Sequence, residues 1–259
     1  MEKAKGFRAA FRELDAATLQ KRIVRSYVAT RIGIGLIGVL FPLLLLVGGL
    51  LVGICPQNSM SAYYYAAGAA GHSMRNWFVG LLFMVSISLG LYRGFSKAED
   101  ILLDVAAVFG VGIALFPMDW DPAKIKCGAI GPAVIAGPGF AGISVHGICA
   151  VTFFLCTAIV CWFCADDTLS LINNEARQKR LRIIYRTIGI FMPSSMLVAW
   201  AVNTLAKTTW AQFWTEAAGI FAFGAFWLVK SKELSDTAAD VKAASGHIRL
   251  YAGHLEEIP

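Results

Sequence analysis

Charge is what this sequence has least of. Asp, Glu, Lys and Arg make up 15% of its 259 residues, against about 25% in an ordinary soluble domain. With 57% hydrophobic residues and a mean hydropathy of +0.63, an ordinary soluble globular domain is excluded. Histidine is rarer still, at four residues, and no two of them stand at the HExxH spacing that sets two zinc ligands on one helix face. There is no GxSxG elbow to expose a nucleophilic serine at a sharp turn. No CxxC pair faces a second one, as a structural zinc site would need.

What the chain does have is long apolar blocks separated by short polar stretches. A spanning helix needs about 20 apolar residues, and Ile32 to Ile54 supplies them without one charge. Five more segments qualify: Asn76 to Tyr92, Ile101 to Met118, Ala141 to Cys164, Thr187 to Leu205 and Phe213 to Val229. The second and sixth are short, and Trp77, Tyr92, Trp210 and Trp214 would extend them into the headgroup layer. Residues 127–142 carry too many Gly and Pro for a lipid-exposed helix, so they read as a loop or a protein-shielded re-entrant segment. The expected fold is therefore all-α, a polytopic transmembrane bundle of six spans.

Of the 23 basic residues, 19 fall in the N-terminal segment, the second and fourth connections and the C-terminal segment. Arg75, Lys124, Lys126 and Lys207 are the other four. Because basic residues are retained on the cytoplasmic side, both termini are expected inside. The net charge of +6 then reflects topology and anionic lipid rather than nucleic acid, which is not an expected partner. Three regions follow: residues 1–30, a basic amphipathic segment lying on the inner leaflet; residues 31–230, the membrane domain; and residues 231–259, a cytoplasmic tail too poor in apolar residues for a core of its own. The localisation expected is a bacterial inner membrane.

Four cysteines (Cys149, Cys156, Cys161 and Cys164) share the fourth span, where buried thiols act as small hydrophobes. Cys55 and Cys127 fall in outward loops, where a disulfide between them and two unpaired thiols are both chemically allowed. Asp104 is within reach of Arg93 or Lys97 and reads as structural.

Chemistry, if any, belongs to the polar residues near the outward side. Ser61, His146 and Glu216 are the candidate catalytic residues, His146 and Glu216 lying about one turn inside their spans, where an ionisable group is costly unless paired or hydrated. Tyr64, Tyr65, Arg75, Trp120 and Trp214 are candidate ligand-binding residues, and Tyr63, Tyr64 and Tyr65 equally suit an interfacial aromatic belt. A metal site would use His72 and His146 with Asp119 and Asp121, with zinc the metal that such donors suit. The bland alternative has His146 bonded to a neighbouring helix and Glu216 paired with Arg75 or Lys207. A serine nucleophile with a histidine base is a further reading, with Ser59 or Ser61 as nucleophile and His72 or His146 as base.

The segment Ser61-Ala62-Tyr63-Tyr64, then Met74-Arg75-Asn76-Trp77-Phe78-Val79-Gly80 and Tyr92-Arg93-Gly94, resembles a family of uncharacterised bacterial multi-pass inner-membrane proteins over residues 59–118. That resemblance implies a multi-pass fold and no particular activity; this chain has Tyr65 where members tend to have histidine. Ser61 and His146 are also faintly similar to positions in the superfamily of alkaline ceramidases and progestin/adiponectin-type receptors, which have seven spans and zinc-binding histidines. The expectation is an inner-membrane protein whose outward polar layer binds a lipid-like or small ligand, or which serves as an accessory or assembly subunit. A zinc-dependent lipid hydrolase and a small proton-coupled transporter or channel are the alternatives. Membrane lipids, a second copy of the chain and another membrane protein are the expected partners.

Overall fold

The computed structural model describes residues 15–68, 73–119, 137–140, 143–202, 205, 211–251 and 254–258. Helices dominate them: α1 (Ala16–Leu51), α2 (Arg75–Leu91), α3 (Lys97–Leu115), α4 (Val145–Trp162), α5 (Glu175–Ala201), α6 (Ala211–Asp236) and the short α7 (Ala239–Ala244). Two antiparallel hairpins, β1 (Gly139–Phe140) with β2 (Ile143–Ser144) and β3 (Ile248–Tyr251) with β4 (His254–Glu257), complete the regular structure together with 3₁₀ segments at Ser61–Tyr64 and Cys164–Leu171. Each expected apolar block lies on a helix, and three segments among the described residues, Ala16–Leu51, Val145–Leu171 and Glu175–Ala201, are long and apolar enough to cross a membrane.

The helix ends depart from the apolar blocks because polar caps, not hydropathy, fix where helices begin. Ser96 accepts from Glu99 N at the start of α3, Ser144 from Gly147 N at the start of α4, and Asn174 from Arg177 N at the start of α5. α5 accordingly begins twelve residues before Thr187, on a charged turn well outside the apolar block.

The six long helices pack in chain order, each against the next, and α6 closes back on α1. Small residues make that last seam possible. A Cβ on Gly224 would stand 2.8 Å from the Gly35 carbonyl oxygen and from Val39 N, so the two backbones approach at a distance only glycine permits. The same logic closes the α4–α5 seam at Gly189, whose Cβ would lie 3.1 Å from the Ala158 carbonyl oxygen.

One end of the ring is fastened by buried polar groups. Arg31, with no exposed surface, forks onto Asp240 at 3.0 and 2.7 Å and reaches Ser231 Oγ at 3.1 Å. Lys230 Nζ donates to the Ala165 carbonyl, to Thr168 Oγ1 and to Glu233, which also accepts from Tyr185. Tyr92 is sandwiched between Tyr27 and Trp227 rather than lying in a headgroup layer, whereas Trp77 and Trp214 are half-exposed. Trp210 lies outside the described residues. Arg93 pairs with Asp104 at 3.0 Å, the contact expected for that aspartate. The tail has more structure than its composition suggests. α7 supplies Asp240, and β4 buries Leu255 while its carbonyl accepts from Ser170 Oγ.

Candidate functional site

At the opposite end of the ring, two side chains from separate elements, His146 and Glu216, meet the 3₁₀ turn at Ser61–Tyr64 and its leading residue Met60. The Ser144 cap starts α4 one residue before His146, which aims the imidazole across to the end of α3. There His146 Nδ1 donates to the Phe116 carbonyl oxygen at 2.9 Å, one of the C-terminal carbonyls that a helix leaves unpaired. Its Nε2 lies 2.9 Å from Ser61 Oγ. Glu216, one turn into α6, accepts from Met60 N at 2.7 Å through one oxygen and from Gln212 Nε2 at 2.9 Å through the other. Glu216 thus ties α6 to the turn that carries Ser61, instead of pairing with Arg75.

These groups lie at the polar end of a cavity of about 300 Å³ inside the ring, to which all six long helices contribute. Ser59, Ser61, His146, Gln212 and Glu216 supply its polar atoms, and Phe41, Phe78, Phe153, Phe154 and Phe223 form much of the apolar remainder. Val151 of α4 and Trp200 of α5 line the cavity although they are 52% and 68% exposed. Among the described residues, no second layer of side chains therefore covers the wall between α4 and α5 at this level. Beyond it the seam tightens to the Gly189 contact.

The three candidate catalytic residues are all brought to this one cavity. Of the candidate ligand-binding residues, Tyr64, Tyr65, Arg75 and Trp214 are not among those lining it. The Arg75 guanidinium sits 4.4 Å over the Tyr64 ring, Tyr65 is buried with its hydroxyl donating to the Met118 carbonyl, and Trp214 packs edge-on against Phe213. Tyr63 is fully buried against Phe213, so the aromatic belt expected at 63–65 is instead a packed inner layer. Trp120 lies outside the described residues. The cavity's phenylalanines carry no signal that separates them from lipid-facing ones in an apolar run; only the Gln212/Glu216 pair, four apart, marks a polar helix face.

Of the metal donors considered, Asp119 accepts from Gly137 N at 2.8 Å, and both ring nitrogens of His146 are engaged by Ser61 and Phe116. Among the described residues no group of three His, Cys, Asp or Glu side chains is placed to hold a metal ion. His72 and Asp121 lie outside the described residues, and no step is derived through zinc. Cys55 is disulfide-bonded to a partner outside the described residues, and the four cysteines on and beside α4 are free and buried. Comparison with protein-family models, with curated proteins and with solved structures returns no match.

Proposed function

We propose that this chain is a six-span inner-membrane protein, both termini cytoplasmic, whose ring holds the acyl chain of a lipid-like ligand with its polar group toward Ser61, His146 and Glu216. The observation that carries this reading is the shape and polarity of the cavity. It is apolar and aromatic for most of its wall, polar at one end, and at about 300 Å³ matches the lower edge of ligand pockets. An acyl chain satisfies the phenylalanine wall, while an ester, hydroxyl or carboxyl group meets the serine, imidazole and glutamine side chains. The exposed wall residues Val151 and Trp200 favour access from the bilayer, between α4 and α5, over access from water.

The α1–α6 closure and the charge asymmetry support six spans with the Arg31 end inside. The test is native mass spectrometry of protein purified in mild detergent, compared with Ala150→Phe, which fills the cavity from α4. Wild-type protein is expected to retain acyl-lipid adducts that Ala150→Phe largely loses at unchanged thermal stability. Adducts equal in both proteins, or absent from the wild type, would refute the reading.

A further inference from the structure

The polar end of the cavity holds a hydroxyl and an imidazole in the relation that a serine nucleophile needs. A carbonyl oxygen only accepts, so the 2.9 Å contact with Phe116 fixes the proton on Nδ1 of His146 and leaves the lone pair on Nε2. That lone pair faces Ser61 Oγ at 2.9 Å, and Ser61 donates to it. This is the tautomer in which imidazole acts as a base toward the hydroxyl, with a backbone carbonyl orienting the ring where a triad uses a carboxylate. A pair that existed only to satisfy a buried histidine would have no need to face open space, yet both residues line the cavity.

Two donors line the same cavity. The Gln212 amide carries two N–H groups, one of which serves Glu216. The Ser59 hydroxyl rests on the Met118 sulfur at 3.6 Å, a weak acceptor that a carbonyl oxygen would outcompete. Glu216, by holding Met60 N, fixes the turn that presents Ser61 and is a positioning residue.

We propose that Ser61 is an acyl-accepting nucleophile, with His146 as its base, acting on an ester of the long-chain acyl group that the cavity holds. The proposal rests on the acyl-binding reading above. In the first half-reaction the Ser61 Oγ–carbon bond forms as its proton passes to His146 Nε2, and the carbonyl electron pair moves onto oxygen. Collapse breaks the bond to the ester's alcohol oxygen, which leaves with the proton from Nε2. Water then attacks the acyl carbon, giving a proton to Nε2, and Ser61 Oγ departs with that proton as the free acid forms. Gln212 and Ser59 are the donors for the oxyanion.

The test reacts the purified protein with an alkyl fluorophosphonate, locates the adduct by peptide mass spectrometry and measures bound lipid in parallel by native mass spectrometry. The expected result is a covalent adduct on Ser61 of lipid-bearing wild-type protein, absent in Ser61→Ala and formed about 100-fold more slowly in His146→Gln. Wild-type labelling is informative without either variant. Lipid-bearing wild-type protein with no adduct on Ser61 would overturn the nucleophile and leave acyl binding standing. Equal labelling in His146→Gln would overturn the base. Protein with neither adduct nor lipid would overturn both readings.

Discussion

Arg31 shows how a single side chain holds the ring shut. Its guanidinium is fully buried and paired with Asp240, which α7 contributes from the far end of the chain. Removing one partner strands a buried charge, which typically costs about 3–5 kcal/mol, whereas replacing both by apolar residues of similar volume is often neutral. Arg31→Met is therefore expected to lower the unfolding midpoint strongly, and the double variant Arg31→Met/Asp240→Leu to recover most of it, as read by denaturant titration in detergent. Glu99, in the first turn of α3 at the same end, behaves differently. Burial pushes its carboxyl up from 4.5 to about 7, against the pull of Lys230 and of the Phe95 N–H that it accepts. Asp167 and Asp100 add to the upward push. Between those values the folded chain holds a proton that the unfolded chain has lost. This contribution to stability is complete below about pH 4.5 and disappears as pH rises through about 7. Melting temperatures measured from pH 5 to 8 are expected to fall with pH in the wild type and to flatten in Glu99→Gln.

At the scale of elements, the seams between helices decide which glycines matter. Gly33 has nothing within 4 Å of its missing Cβ, but Gly224 meets the backbone of α1 at 2.8 Å. Gly224→Ala is expected to destabilise by about 1–3 kcal/mol, while Gly33→Ala leaves the melting temperature unchanged or raises it slightly. All six apolar blocks lie on helices, because a run such as Ile32 to Ile54 has no other way to pair its backbone in lipid. Helix ends and neighbours were not readable from hydropathy. The former depend on caps such as Asn174, and the latter on contacts between residues as distant in sequence as Gly35 and Gly224. Ser61, His146 and Glu216 stood out as polar groups in apolar surroundings, and the fold gathers them. The aromatic wall formed by Phe153, Phe154 and Phe223 did not stand out, since it takes the third dimension to tell an inward phenylalanine from a lipid-facing one.

For the whole molecule, the proposed orientation makes a direct prediction. Ser73 and Ser245 are both exposed and sit toward opposite ends of the ring. In intact cells a membrane-impermeant maleimide is expected to label Ser73→Cys and to spare Ser245→Cys, which becomes reactive only after the membrane is opened. Labelling of both in sealed cells would overturn the two-sided arrangement. The tail containing Ser245 was the least readable part of the sequence. Its fold hangs on Asp240 meeting Arg31 and on the single leucine, Leu255, that β4 buries, and neither shows as a pattern within residues 231–259.

The ring joins α1 to α6. While the chain is being synthesised, Arg31 and the glycine face of α1 have no partner until α6 and α7 have left the ribosome, so closure cannot proceed stepwise from the N-terminus. Nascent chains halted before Asp240 would display a buried-type arginine without its carboxylate partner.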